Sequence, residues 1–189
     1  MPKSILRKVI LARRLALSAT EQAVAAEVIQ STFLAMPDYQ AAGSIALYWS
    51  VKNEVSTERV ISHSLQTGKA LFFPAVEGDE MLFRRVIALD DLVAGRFGIM
   101  QPTAGCAAAD PDMIDLIVVP GVGFDLSGQR IGYGKGYYDR TLHRLEGKGK
   151  LTAFCYDFQI VDSLAGEQHD VNIDRIITEQ RVINTALQK

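Results

Sequence analysis

Met113-Ile114-Asp115-Leu116-Ile117-Val118-Val119 runs directly into Pro120-Gly121-Val122-Gly123-Phe124-Asp125, and this passage decides how the chain is read. So branched and apolar a run fits a strand in the middle of a sheet that is covered on both faces. Upstream, Ser44-Ile45-Ala46-Leu47-Tyr48-Trp49 is a second short apolar run. Ser56-Thr57-Glu58 then starts a helix to about Thr67, and Lys69 to Phe73 reads as a strand stopped by Pro74. Strand, helix, strand in that order is a βαβ unit and predicts a parallel sheet with helices on its faces. Met81 to Val86 adds an antiparallel strand after the Glu77-Gly78-Asp79 turn, while residues 87–113 read as a long loop. Leu151 to Tyr156, Ile173 to Thr178 and Arg181 to Ile183 supply the remaining strands.

Two helices precede the sheet. Leu6, Val9, Ile10, Arg13 and Leu17 follow helical spacing, and Ser18-Ala19-Thr20-Glu21 is a capping box for a second helix with the stripe Ala25, Val28, Ile29, Phe33 and Met36. Pro37 is expected to close that segment. With 189 residues, 48% hydrophobic and no linker or repeat, residues 1–189 are expected to form one α/β domain. The formal charge of −2, without runs of one sign, points away from a nucleic-acid or polybasic membrane surface. Cys106 and Cys155 form no CxxC pair, no apolar run has the length of a membrane-spanning helix, and the basic residues among positions 1–17 do not suit a signal peptide. A reducing, cytoplasmic setting is the expectation.

The chemistry concentrates after the central strand, in Gly128-Gln129-Arg130-Ile131-Gly132-Tyr133-Gly134-Lys135-Gly136-Tyr137-Tyr138-Asp139-Arg140. Glycines 132, 134 and 136 let backbone amides turn toward a ligand and approach it closely, and a helix beginning near Gly136 aims its free N–H groups at the same place. Arg130 and Lys135 add positive charge, and Asp139 could hold an accompanying Mg2+ directly or through water. A lone GxGxG serves equally well as a tight turn. Its position at the carboxyl end of a buried strand, with both bases and an acid, favours a phosphate site. It is neither a Walker loop nor a dinucleotide fingerprint.

The stretch VPGVGFDLSGQRIGYGKGYYDR, with Lys3-Ser4-Ile5-Leu6-Arg7 early and HDVNIDRIITE from His169 to Glu179 late, resembles the 5-formyltetrahydrofolate cyclo-ligase family over about Lys3 to Ile183. The resemblance implies a three-layer α/β/α domain with a mostly parallel central sheet. It also implies ATP- and Mg2+-dependent conversion of 5-formyltetrahydrofolate to 5,10-methenyltetrahydrofolate. ATP binding is implied for Lys3, Ser4, Ile5, Leu6 and Arg7 and for Arg130, Ile131, Gly132, Tyr133, Gly134, Lys135, Gly136, Tyr137 and Tyr138. Lys3 and Arg7, four apart, share a helix face and could reach one phosphate, or form an ordinary basic stripe. Arg130, with help from Lys135, is the implied catalytic charge. Asp139 and Asp174 are the implied magnesium ligands, with Asp174 at a strand start expected to meet Asp139 in space.

For the folate, the resemblance implies Val51, Glu54, Ser56, Phe97 and Tyr137 as substrate contacts, with Phe97 placed to stack on the pterin and Glu54 to accept hydrogen bonds from its nitrogens. Glu54 could equally compensate a helix N-terminus. His63 and His143 read as surface residues and His169 as an orienting group. Partners are then a small folate and ATP, on a monomer or homodimer, with no nucleic acid and no membrane. A non-catalytic folate- or nucleotide-binding regulator on the same scaffold and a sugar-phosphate isomerase-like enzyme are the competing readings; the second predicts turnover without ATP.

Overall fold

A computed structural model describes residues 2–95, 98–146, 148, 150–166 and 170–185. The chain starts with α1 (Lys3–Leu15), α2 (Ala19–Leu34) and α3 (Pro37–Ala41). Then come β1 (Ser44–Ala46), α4 (Glu58–Gln66), β2 (Ala70–Glu77) and β3 (Glu80–Val86). The middle holds β4 (Leu92–Ala94), β5 (Met100–Pro102), β6 (Ala108–Ala109), β7 (Leu116–Val118), β8 (Gly123–Asp125) and β9 (Arg130–Ile131). Last are α5 (Tyr137–Leu142), β10 (Leu151–Phe154), β11 (Ile160–Val161), β12 (Arg175–Ile177) and β13 (Val182–Asn184).

Eight strands form the main sheet in the order β13-β12-β10-β7-β1-β2-β3-β6. From β12 to β2 all neighbours are parallel; β13, β3 and β6 are antiparallel additions at the edges. Alternate residues of the strands feed two cores. Ile45, Leu47, Leu71, Phe73, Leu116 and Val118 face α2, α3 and α4 through Ile29, Phe33, Tyr39 and Val60. Ala46, Phe72, Ile117, Val119 and Ala153 face the other way, toward Leu142 and Tyr138 of α5 and toward Phe124, Val171 and Ile173. The result is the expected three-layer α/β/α arrangement. A third cluster of Ile10, Val122, Ile131 and Leu164 fixes α1 to the small sheet β11-β8-β9. Gly123 permits that contact, because a Cβ there would lie 2.8 Å from Ile10 Cδ1.

The Ser18 capping box forms as expected. Two prolines go beyond or against the sequence expectation. Helix α2 ends at Leu34, ahead of Pro37 as expected, and Pro37 in addition opens α3 from its first turn, where its missing N–H costs nothing. Pro74 does not stop a strand: β2 continues through it, paired with Phe83 of β3 and already past the residues that pair with β1. Nor are residues 87–113 all loop, since β4 and β5 form a hairpin there and β6 adds to the sheet edge.

Candidate active site

The parallel strands, numbered by appearance, lie in the order 2-1-3-4-5, so the winding direction reverses between β1 and β7. A crevice at the carboxyl ends of such a strand pair is where open α/β sheets bind ligands. The segments leaving those two ends are residues 47–57 and 119–136.

Asp125, buried at 3% exposure, organises the second segment. Its Oδ1 accepts from the Ser127 amide and hydroxyl and the Gln129 amide, and its Oδ2 accepts from the Leu164 amide. The turn so held returns the chain into β9, where Arg130 pairs with Phe124. Arg130 is consequently buried, donating to Asp139 Oδ1 at 2.7 Å and to the Pro120 carbonyl at 3.2 Å, with its guanidinium 5.7 Å from the Tyr138 ring centre. Its Nε is enclosed without a partner. Beyond it the backbone opens: Gly134 and Gly136 take φ of 95° and 65°, values suited to glycine, and Tyr133, Gly134 and Lys135 are exposed. Gly136 is the N-cap of α5.

One face of α1 lies along this loop. Lys3, Arg7, Ile10 and Arg14, at helical spacing, meet successive partners. Lys3 pairs with Asp170 at 2.6 Å, Arg7 Nε donates to the Gly132 carbonyl at 2.9 Å, and Ile10 fills the apolar cluster. Arg14, at 1% exposure, donates to the carbonyls of Lys52 and Gly121, both at 3.0 Å, and to the Tyr133 hydroxyl. Ser4 and Ile5 of the expected ATP segment face solvent, and Leu6 packs beside Ile10.

Across the crevice Glu54 is buried at 8% exposure, before α4 begins. Compensation of the helix end is therefore not its role. Its Oε2 accepts from the Val51 amide at 3.0 Å and its Oε1 from the Tyr133 hydroxyl at 2.9 Å, while Arg14 stands 3.9 Å away. Burial raises its pKa, and the Arg14 guanidinium, the two hydrogen bonds and Lys52 oppose that rise. Burial also pushes the Tyr133 and Tyr138 hydroxyls upward, so both remain protonated. Val51 and Ser56 line a cavity of about 450 Å³ beside Glu54, together with Gln22, Lys52 and Glu58. Ser56 Oγ accepts from the Glu58 amide.

Lys3, Arg7, the 130–139 loop and Glu54 are thus gathered at one end of the sheet. Tyr137 lies half-buried against the core, 5.2 Å from the Arg140 guanidinium. Asp174 goes elsewhere. It precedes β12, and its Oδ2 accepts from the amide of Leu151, the first residue of β10; the amino ends of these strands lie opposite the crevice. The late segment instead brings Val171 to Asp139, its amide 3.4 Å from Oδ1. The expected meeting of Asp139 and Asp174 is therefore not what the fold produces. Phe97, expected to stack on the pterin, and His169, expected as an orienting group, lie outside the described residues. Arg14 was missed as a site residue, although its position seven after Arg7 on the same helix face was the available signal. Asp170 was missed as the partner of Lys3.

A family model described as "5-formyltetrahydrofolate cyclo-ligase family" matches residues 1–179. A 5-formyltetrahydrofolate cyclo-ligase of Mus musculus is 31% identical, with 92% of each chain covered. One from Escherichia coli is 27% identical over 90% of this chain and 96% of that one. The NMR structure of Aquifex aeolicus 5,10-methenyltetrahydrofolate synthetase superposes with a TM-score of 0.86 at 37% identity, covering 98% of this chain and 93% of its own.

Proposed function

The chain belongs to the 5-formyltetrahydrofolate cyclo-ligase family, and on that premise we propose that it converts 5-formyltetrahydrofolate to 5,10-methenyltetrahydrofolate, driven by ATP and Mg2+. One observation carries this reading: a basic, glycine-rich loop able to take phosphate and a buried carboxylate able to read a heterocycle face each other, joined at the Tyr133 hydroxyl. A two-substrate transfer needs that adjacency, because little chemistry remains for the protein once the reacting atoms are aligned and the phosphoryl charge is met.

The formyl oxygen attacks the γ-phosphorus and ADP leaves. N10 then adds to the activated formyl carbon, which closes the ring; N10 gives its proton to solvent, and cleavage of the C–O bond expels phosphate and leaves the methenyl bridge. Arg130 is suited to neutralise the transferring group, because Asp139 and Pro120 fix its guanidinium beside the glycine loop. Arg7 and Lys135 supply further positive charge, and the amides from Ile131 to Tyr138 supply donors. Among the described residues no three His, Cys, Asp or Glu side chains converge on a metal position. Magnesium would therefore arrive with the nucleotide, held mostly by phosphate oxygens, with Asp139 as the protein carboxylate beside it. Its chemistry is charge neutralisation. Glu54 suits N–H donors of the pterin, and the adjoining cavity suits the rest of the folate.

Mixing the protein with 5-formyltetrahydrofolate and Mg-ATP is expected to develop the ultraviolet absorbance of the methenyl product. Folded protein that gives no absorbance, or gives it equally without ATP, would contradict the reading.

A further inference from the structure

The Tyr133 hydroxyl sits where two binding elements meet, and it is already engaged. It donates to Glu54 Oε1 and accepts from the buried Arg14 guanidinium. The residue is 40% exposed, and its ring centre lies 5.2 Å from Lys52 Nζ and 5.9 Å from the Arg14 guanidinium carbon. Its backbone belongs to the glycine loop, whose preceding residue, Gly132, is held by Arg7. A side chain of the phosphate loop thus occupies a carboxylate oxygen on the opposite wall.

We propose that Tyr133 is a latch coupling the two substrates: its hydroxyl competes with the folate for Glu54, and its release frees the glycine loop for the nucleotide. This rests on the proposed activity. Glu54 has two carboxylate oxygens, one taken by the Val51 amide and the other by Tyr133. A heterocycle donating to Oε1 displaces the phenol. A phosphate drawing Arg7 toward itself takes that guanidinium from the Gly132 carbonyl. Each ligand thereby removes one of two restraints on consecutive residues, 132 and 133, and because both restraints hold the same short stretch of loop, a loop released at one of them moves at lower cost when the second ligand binds. Such sharing makes binding of the two mutually reinforcing, by the same factor in either direction. Arg14 holds the other end: its remaining donors are fixed on Lys52 and Gly121, so it keeps its place when the phenol leaves. Tyr133 acts through Glu54 and the loop, which makes it a positioning residue.

The test is calorimetry of 5-formyltetrahydrofolate binding to wild-type protein and to Tyr133→Phe, each with and without Mg2+ and a non-hydrolysable ATP analogue. The change removes one hydroxyl from an exposed ring, so folding is expected to survive it. The latch predicts tighter folate binding by Tyr133→Phe without nucleotide, on the order of tenfold for loss of a competing hydrogen bond to a charged group. It further predicts that the analogue tightens folate binding by the wild type and has little such effect on the variant. Equal or weaker folate binding by Tyr133→Phe, or the same nucleotide effect in both proteins, would overturn the latch alone. Wild-type protein that binds no 5-formyltetrahydrofolate would overturn the proposed activity together with the latch.

Discussion

Arg130 and Glu54 are buried charges of opposite sign, and their partners decide what each can do. Arg130 is held by Asp139 and the Pro120 carbonyl next to the glycine loop, a fixed positive charge suited to negative charge that develops only during reaction. Arg130→Ala is expected to lower kcat by roughly 10²–10³, as loss of one preorganised donor does, with a much smaller effect on unfolding. Steady-state kinetics beside a denaturation curve check this. Glu54 responds to pH. Its folded pKa lies above the ordinary 4.5, so between 4.5 and the raised value the native state holds more proton than the unfolded chain. Its contribution to stability is therefore greatest at and below 4.5 and declines as pH rises through the folded value. Urea midpoints for wild type and Glu54→Gln across that interval should show a steeper decline in the wild type. Parallel curves would mean that burial does not shift this carboxyl.

Helix α1 does more than cover the sheet. Lys3, Arg7 and Arg14 reach three separate segments from one face, and Ile10, at 5% exposure between them, packs that face onto Val122 and Ile131. Ile10→Ala should cost about 2–5 kcal/mol of stability through the cavity left behind. It should also raise KM for ATP more than KM for the folate, because Arg7 loses its alignment with the loop. A calorimetric unfolding scan with the two KM values tests both halves, and equal shifts in the two KM values would count against the alignment role. Tyr133 and Arg14 show why α1 and the loop belong to one device: each holds the other beside Glu54.

The parallel sheet separates two carboxylates that the late sequence motif suggested would meet. Asp139 stands at the carboxyl end of the strands beside Arg130, whereas Asp174 receives the Leu151 amide at the amino end. Asp139→Ala is expected to raise the Mg2+ concentration needed for half-maximal activity by several-fold or more. Asp174→Ala is expected to leave that requirement near wild type and to cost about 1–3 kcal/mol by stranding a buried amide. Magnesium titration of the two variants, with a denaturation curve for each, decides the matter. A raised magnesium requirement in Asp174→Ala would restore it as a ligand.

Local pattern was enough for the α/β class, the parallel β1, β2 and β7, the capped second helix and the glycine loop after the central strand, because burial periodicity, capping chemistry and glycine runs act over a few neighbouring residues. The short strands β8, β9 and β11 left no such trace. Two- and three-residue strands carry too little periodicity, and Asp125, Gly123 and Arg130 read alone as loop residues. The opening of α3 at Pro37 and the passage of β2 through Pro74 are not legible in the sequence, because a proline's effect depends on whether its missing N–H faces a partner, which a sequence does not state. Arg14, Tyr133 and Glu54 stand at positions 14, 133 and 54, and long-range packing alone brings them together. Burial of a charge is a property of everything packed around it, so the latch between the two binding elements arises only once α1, the β1 loop and the glycine loop close on one another.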